Sequence, residues 1–286
     1  MTLECEGKTP SKEIDAQKGK MQLAKCMGIK MKYKKRIGFL LLGILLLLVL
    51  IGCFYTPFDP NEMNARLKFS PPSLTHLLGT DNFGRDMFSR ILVGSRHTVF
   101  CAISTILIGG ITGTLIGLFS GVIGGLFDEV FMRIMDCITA FPSILLALVF
   151  ISLFGTGERN LIFALSIVFI PSFSRVARAE ALRIKNLDFI TASRVMGAST
   201  IRIVLKHILP NAKATLLSAF SVGFTNAILA EASLSYLGLG INPPTASLGR
   251  MLSEAQAYLF RAPWLVIAPG VAVVLFAFSA SLLAEE

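Results

Sequence analysis

Few ionisable side chains lie within the apolar segments of this sequence, and only these could supply acid–base chemistry there. Glu231 lies in a run of small and aliphatic residues, Asp136 and Arg133 lie at the start of another apolar segment, and His97 precedes a third. Their order along the chain matches no recognised catalytic pairing. Because an ionisable group at membrane depth is costly unless it is paired or faces water, we expect Asp136 and Arg133 to anchor a helix end at the membrane interface.

Two interpretations of Glu231 remain open. Together with Ser233, Glu231 would line a translocation pathway, where its carboxylate could receive a cation. Alternatively, the carboxylate would anchor the loop that follows by accepting hydrogen bonds from backbone N–H groups.

The sequence patterns of common enzymes are missing. The chain has no G-x-x-x-x-G-K-[ST], G-x-S-x-G or H-E-x-x-H pattern, which would indicate ATP binding, ester hydrolysis or zinc-dependent proteolysis. The five cysteines have no paired spacing, so neither a zinc site nor a disulfide framework is predicted. We therefore expect this chain to bind no metal or cofactor and to catalyse no reaction. If the protein moves a solute uphill, the energy would come from a partner.

Composition places the chain among membrane proteins. Hydrophobic residues make up 53% of its 286 residues, 16% are charged and the mean hydropathy is +0.69, whereas soluble domains average about 25% charged residues. Much of the formal net charge of +9 lies before the first apolar segment, where Tyr33 is the only aromatic residue, so nucleic-acid binding is not expected. Residues 1–36 predict a basic cytoplasmic tail that contacts anionic membrane lipid.

Six segments are long and apolar enough for a helix to cross the hydrocarbon layer, which takes about 20 residues. They predict an all-α, polytopic membrane bundle of about six transmembrane helices, at 37–55, 98–119, 134–154, 161–176, 215–234 and 265–283. With the basic tail inside, both termini and loop 177–213 are cytoplasmic, and loop 56–96 lies outside. Loop 177–213 is rich in Lys and Arg, as the positive-inside rule requires of a short cytoplasmic loop.

A polar segment in the second half of the chain predicts two short helices joined by a hinge. Asp188 can cap the first helix, and Gly197 suits the left-handed residue that ends it. Ser199 or Thr200 can cap the second helix, which Pro210 would stop. Such a segment between membrane helices indicates a lever, that is, a rigid element that another protein binds and moves.

Loop 56–96 contains a further candidate helix. Thr80 or Asp81 could cap it, and Asp81 could pair with Arg85 four residues later. Apolar side chains would share one side of this helix, namely Phe83, Met87, Phe88, Ile91 and Leu92. The pattern favours an amphipathic helix lying in the membrane interface, and the functional alternative is a plug or a docking surface for an external binding protein.

Small residues recur every four positions in two of the apolar segments. One row consists of Gly109, Gly113, Gly117 and Gly121, and the other consists of Ala219, Gly223 and Ala227 and points to Glu231. Such rows let another helix backbone approach closely. They predict either ordinary helix packing within the bundle or a sliding seam between two subunits.

Four motifs resemble those of ATP-binding-cassette (ABC) importer permeases. The coupling motif Glu-Ala-Ala, three residues, Gly and then Ile-Leu-Pro is matched by Thr191-Ala192-Ser193, Gly197 and Ile208-Leu209-Pro210. The other motifs are Gly-Thr-Asp-x-x-Gly-Arg-Asp-x-x-Ser-Arg at 79–90, Ala-Phe-Pro-Ser at 140–143, and Ala-Glu-Ala-Ser-Leu-Ser-Tyr-Leu-Gly-Leu-Gly at 230–240 with Pro243-Pro244. Over about residues 35–283 the chain resembles the second, C-type permease of the dipeptide, oligopeptide and nickel importers.

The resemblance implies the type I ABC-importer permease fold and a set of partners in the bacterial cell membrane. These are a second permease subunit forming a heterodimer, two ATPases that hold ATP and Mg, and an extracytoplasmic substrate-binding protein. The core permease domain would be 97–284, with its coupling loop at 181–213. The residues implied in coupling to an ATPase are Asp188, Phe189, Thr191, Ala192, Ser193, Arg194, Gly197 and Pro210. Thr191 replaces the Glu of the motif, so Arg194 is the alternative residue for any contact that this Glu makes.

Three segments, at 122–133, 154–160 and 191–194, resemble the nickel branch more than the peptide branch. The expected function is therefore an importer permease that forms half of the translocation pathway and carries nickel or a metal–chelator complex. Import of di- or oligopeptides is the alternative cargo. A stand-alone channel or carrier is the alternative class, and an intramembrane enzyme using Glu231, Asp136 and His97 is a third.

Overall fold

The computed structural model describes residues 36–284, which are helical apart from loops and one isolated β-bridge between Thr80 and Asp86. The predicted all-α bundle is confirmed, and the predicted tail lies, except for Arg36, outside the described residues. A π-helical segment lies at Ile203–Ile208, and 3-10 turns lie at Ala65–Leu67 and Gln256–Tyr258. The helices are α1 (Arg36–Phe54), α2 (Met87–Ile123), α3 (Gly125–Thr139), α4 (Ser143–Phe154), α5 (Glu158–Ile184), α6 (Asp188–Val195), α7 (Thr200–Arg202), α8 (Leu209–Tyr236), α9 (Leu248–Ala255) and α10 (Trp264–Ala284).

Within residues 36–284, five continuous helical stretches are long and apolar enough to cross a membrane, and a sixth crossing there would have to be a bent pair. The predicted continuous span 134–154 is wrong, because α3 and α4 meet at an angle of 86°. Between them lie Ala140, Phe141 and Pro142, and Pro142 has an extended ψ of 128°. A proline has no N–H for the helix and disfavours helical conformation in the residue before it, so the chain turns here.

The helix expected to lie in the membrane interface is instead the start of α2. Asp86, and neither Thr80 nor Asp81, caps it, since Asp86 Oδ2 accepts a hydrogen bond from Ser89 N–H at 2.8 Å. No proline follows within α2, which continues for 37 residues. Because side chains such as Met87 are buried in the bundle, this segment packs against the protein and not along the membrane surface.

α2 and α5 run parallel between two ends of the bundle, which are called the Asp81 end and the Gly197 end after residues located there. At Gly109 a methyl group would lie 2.6 Å from the backbone oxygen of Ser166 on α5. The approach is equally close further along α2, at Gly113, Gly117 and Gly121. This row therefore makes a contact within one chain, as the bundle-packing interpretation expects.

Pro210 does not stop the helix in which it lies, contrary to the prediction. The stretch Thr200–Tyr236 is continuous through α7, the π-helical segment and α8. Within it the Leu209 N–H donates to the Val204 oxygen, five residues back. A π turn is wider than an α turn, so it accommodates the proline ring and the missing N–H that would otherwise break the helix.

Candidate functional site

The predicted lever consists of α6 and the turn that follows it. Gly197 has a φ of +82°, in the left-handed region. Its N–H donates to Arg194 O, and the Ala198 N–H donates to Ser193 O. These two bonds form the Schellman arrangement that satisfies the last carbonyl groups of a helix, so the predicted glycine ending of α6 is confirmed.

The caps of the two lever helices differ. The prediction that Asp188 caps α6 is wrong, because Leu187 occupies the N-cap position and Asp188 is the first helical residue. The Asp188 carboxylate still lies at the positive end of the helix dipole. Ser199 caps α7 as predicted, since its side chain accepts a hydrogen bond from Arg202 N–H.

One side of α6 is buried and the other is exposed. Ile190 is fully buried, and Ser193 is buried with its hydroxyl donating to Phe189 O at 2.8 Å. Val195 and Met196 are 85% and 80% exposed, and adjacent exposed apolar side chains of this size favour a protein-binding surface. Apart from Ser193, the residues that the resemblance implies in coupling are exposed as well, namely Asp188, Phe189, Thr191, Ala192, Arg194, Gly197 and Pro210.

The buried side of α6 packs against the segment that leads into α8. Ile190 belongs to one apolar cluster with Ile203, Val204 and Ile208 of the π-helical segment and with Ile184 at the end of α5. Close-packed interiors have low compressibility and transmit displacement. A shift of α6 would therefore be passed to α8 and α5.

A cavity of about 570 Å³ lies between the α3–α4 break, α5 and α8. Polar side chains in its lining are Thr139, Ser143, Ser172, Asn226 and Ser233, and no charged residue of the range 36–284 lines it. A second cavity of about 260 Å³ shares Ser172 and Asn226 with the first. Together they form a groove with neutral polar groups along α5 and α8.

The two residues predicted for the pathway lie on different sides of α8. Ser233 lines the cavity, whereas Glu231 is absent from the cavity lining and is fully buried. Glu231 Oε1 accepts a hydrogen bond from Ser235 Oγ at 2.6 Å, so this donor is a hydroxyl group and not the backbone N–H that the anchoring interpretation proposed. A pathway role for either residue stays a prediction.

Buried charges at the Asp81 end connect the loop before α2 to α9. Arg85 Nε donates to Asp81 Oδ2 at 2.6 Å, and Arg85 Nη2 lies 3.3 Å from Glu254 Oε2. Arg90 is 2% exposed and lies 3.7 Å from the same Glu254 oxygen, while Arg250 lies 3.1 Å from Glu254 Oε1. The Asp81–Arg85 pair is confirmed. The role of Glu254 is absent from the sequence prediction, although its i,i+4 spacing from Arg250 is a signal for pairing.

Two ion pairs join α3 to α5. Arg178 Nη2 lies 2.6 Å from Asp128 Oδ2, and Arg175 Nη2 lies 2.9 Å from Asp136 Oδ1. Asp136, expected to be an interfacial anchor, therefore has a partner on a neighbouring helix. No sequence spacing signals these pairs, because their members lie far apart in the chain.

Comparison with known proteins assigns the family. Residues 113–285 match the family described as binding-protein-dependent transport system inner membrane component. The dipeptide transport system permease protein DppC of Haemophilus influenzae is 38% identical over 244 residues, covering 83% of this chain and 83% of that protein. The glutathione transport system permease protein GsiD of Escherichia coli (strain 536) is 40% identical over 228 residues, covering 80% of this chain and 74% of that protein.

The fold is also similar to a solved structure. An inward-facing conformation of the MetNI methionine ABC transporter matches with a TM-score of 0.55 and 21% sequence identity, covering 68% of this chain and 94% of that chain. At this level of identity the likeness supports the fold alone.

The expected nickel or metal-chelate branch is not supported, because these relatives are named for dipeptide and glutathione transport. The segments that suggested nickel, at 122–133, 154–160 and 191–194, do not contribute to the lining of the cavity. The alternative classes of stand-alone channel and enzyme are not supported either. The chain belongs to the family of binding-protein-dependent transport system inner membrane components, as a multi-pass permease subunit of an ABC importer.

Proposed function

We propose that this chain forms half of the translocation pathway of a bacterial importer of short peptides. The named cargoes of its relatives, dipeptides and glutathione, support this class. The cavity lining supports it as well, because hydroxyl groups and the Asn226 amide offer neutral donors and acceptors. Such groups can hydrogen-bond to peptide backbones without selecting one side-chain charge.

The observation that carries the coupling role is the unbroken connection from the exposed tip of the lever to the cavity. Val195 and Met196 would contact an ATPase, while Ile190 packs against the π-helical segment that continues into α8. α8 in turn lines the cavity with Asn226 and Ser233. When the ATPases close on ATP, displacement of α6 would rotate or shift α8 and change access to the cavity.

The orientation and the partners complete the proposal. The Gly197 end would face the cytoplasm, where the basic loop 177–213 and two ATPases lie. A second permease would form the other half of the pathway. An extracytoplasmic binding protein would deliver the peptide at the Asp81 end, and the ATP and Mg would be held by the ATPases.

The test of cargo is uptake by the complete importer reconstituted in proteoliposomes with its binding protein. We expect a labelled tripeptide to accumulate only when ATP is supplied on the side of the ATPases, and unlabelled di- and tripeptides to compete. Accumulation without ATP, or no accumulation with the whole complex, would contradict the proposal.

The test of orientation is chemical labelling of Ala192→Cys in whole cells, with every natural cysteine except the buried Cys101 replaced by serine. A maleimide that cannot cross membranes should react only after the cells are permeabilised. Reaction in intact cells would place the lever outside and exclude contact with cytoplasmic ATPases.

A further inference from the structure

Arg175 and Asp136 form an exposed ion pair between two helices of the membrane bundle. Arg175 lies in the second half of α5, roughly 13 Å along the helix axis from Ile184 at about 1.5 Å per residue. The side chains of Arg175 and Asp136 are 51% and 60% exposed. Both residues lie within two positions of an end of the predicted spans 134–154 and 161–176, where contact of a charged side chain with lipid is costly. We therefore expect this pair to face water or another subunit.

The cavity and the ion pair share their neighbours. Thr139 lines the cavity, and its hydroxyl oxygen accepts a hydrogen bond from Arg175 Nη2 at 2.7 Å. Ser172, one helical turn before Arg175, also lines the cavity. Because the lining itself carries no charge among the described residues, Arg175 and Asp136 are the charges closest along these elements to a molecule moving toward the Gly197 end.

The guanidinium group of Arg175 is only partly used. Its Nη2 donates to Asp136 and Thr139, and within residues 36–284 the Nε and Nη1 groups of Arg175 have no hydrogen-bond partner. Arg178, one turn further along, differs because both its Nε and Nη2 donate to the Asp128 carboxylate at 2.6 Å. Arginine can bind a carboxylate through two parallel N–H bonds. Arg178 already binds the Asp128 carboxylate in this way, whereas the Nε and Nη1 donors of Arg175 are available to a second carboxylate.

We propose that Arg175 binds the C-terminal carboxylate of a peptide cargo at the edge of the cavity, with Asp136 and Thr139 as positioning residues. The inference rests on the proposed peptide cargo and adds a subsite to it. The free donors of Arg175 would take the carboxylate, while the bonds to Asp136 and Thr139 hold the guanidinium group toward the cavity. A peptide whose C-terminus is an amide would lack the charge that this subsite recognises.

The test compares one tripeptide as the free acid and as the C-terminal amide, at concentrations that saturate the binding protein with either form. Uptake is measured with the complete importer in proteoliposomes. In Arg175→Gln we expect uptake of the free acid to fall about tenfold, as the loss of a charge-assisted hydrogen bond predicts, while uptake of the amide stays unchanged. Arg175→Lys, which keeps the charge without the fork, should give an intermediate rate for the free acid.

The matched control is Arg159→Gln, because Arg159 is an exposed arginine at the start of α5 that lies outside both the cavity lining and the coupling loop. It should transport both peptides like the wild type, and gel filtration should show intact complexes for every variant. An equal loss of both peptides in Arg175→Gln, with or without loss of assembly, would show a structural or subunit-contact role and overturn the subsite. An unchanged ratio of free-acid uptake to amide uptake would overturn the subsite and leave the proposed function standing. Failure of the wild type to import either peptide would overturn both.

Discussion

The two ends of the bundle are held together by different interactions. At the Asp81 end, the buried side chains of Arg85 and Arg90 lie between Asp81 and Glu254 of α9 in a network of ion pairs. At the Gly197 end, α6 is attached through apolar packing of Ile190 and exposes a large apolar tip. The Asp81 end is tied by directional, charged contacts, whereas α6 itself is attached by contacts without direction. The ion pair Arg178–Asp128 in this half of the bundle joins α3 to α5 and does not involve α6.

This difference separates a frame from a moving part. Pulling apart a buried ion pair leaves uncompensated charge, which is strongly unfavourable. Apolar packing has no preferred direction, so a short helix held in this way can shift while its buried side stays covered. We therefore interpret the Asp81 end as the fixed frame and α6 as the element that moves.

The largest effect on stability is expected from Asp81→Asn at the frame. Asp81 accepts hydrogen bonds from Phe83 N–H and Arg85 N–H as well as from the Arg85 side chain. Its neutral replacement leaves Arg85 and Arg90 short of negative charge, so the free energy of unfolding should fall by about 3 kcal/mol or more. Denaturation of the purified protein in detergent micelles measures this change. Asp59→Asn, an exposed change in the same loop, is the control and should have little effect, and equal effects of the two changes would contradict a rigid frame.

A smaller loss is expected from Gly113→Val in the contact that links the two ends. A methyl group at Gly113 would lie 2.5 Å from the Ile170 oxygen of α5, so the helices would have to separate at a cost of about 1–3 kcal/mol. The control is Gly43→Val in α1, where a methyl group meets nothing within 4 Å. Equal thermal stability of the two variants in micelles would show that close α2–α5 packing does not support the frame.

Gly197→Val tests the hinge. A side chain there meets open space, but a β-branched residue at φ +82° carries a backbone strain of about 1–2 kcal/mol. We expect ATP-dependent uptake by the complete importer to fall at least severalfold, because the end of α6 must rearrange. Gly238→Val imposes a similar strain at φ +82° in the turn that ends α8, which has the same hydrogen-bond pattern as the turn at Gly197. If both variants lose uptake equally, strain in general and not the lever is responsible.

The smallest effect on stability, but a clear effect on coupling, is expected from Met196→Ser at the tip of the lever. Because Met196 is 80% exposed in the isolated chain, the free energy of unfolding should change by less than about 0.5 kcal/mol. Peptide uptake per ATP hydrolysed should fall, since the tip would lose its apolar contact with an ATPase. Leu126→Ser, which removes a side chain that is 79% exposed at the start of α3, should leave this ratio unchanged. A normal ratio in Met196→Ser would remove the tip from the coupling surface.

Features that depend on neighbours along the chain were predictable. The positive φ of Gly197 and the cap at Ser199 follow from a few adjacent backbone groups. Rules based on adjacent residues failed where a neighbouring element removed the conflict that the rule predicts. Pro210 should have ended a helix, but the π-helical turn before it supplies the room and the bonding pattern that it needs.

Features that depend on a distant partner were not predictable. Asp136 was expected to anchor a helix end at the membrane interface, because no residue within four positions indicates a partner. Its partner, Arg175, is 39 residues away in sequence and lies 2.9 Å away in the structure. Glu231 and Ser233 were grouped together as neighbours in sequence, yet a two-residue step turns the helix by about 200°, and only Ser233 reaches the cavity.

The sequence by itself determined that this chain is an all-helical membrane protein with a polar helix that ends at a glycine, because hydrophobic length and turn chemistry are properties of consecutive residues. Its motifs added the resemblance to importer permeases. Only the tertiary structure decided that α3 and α4 meet at a bend and that Glu231 is buried away from the cavity lining. It also decided that Arg175 lies beside the cavity, where only its Nη2 group donates hydrogen bonds to the described residues. Those outcomes depend on which helices meet and at what angle, and contacts between residues far apart in the chain decide that.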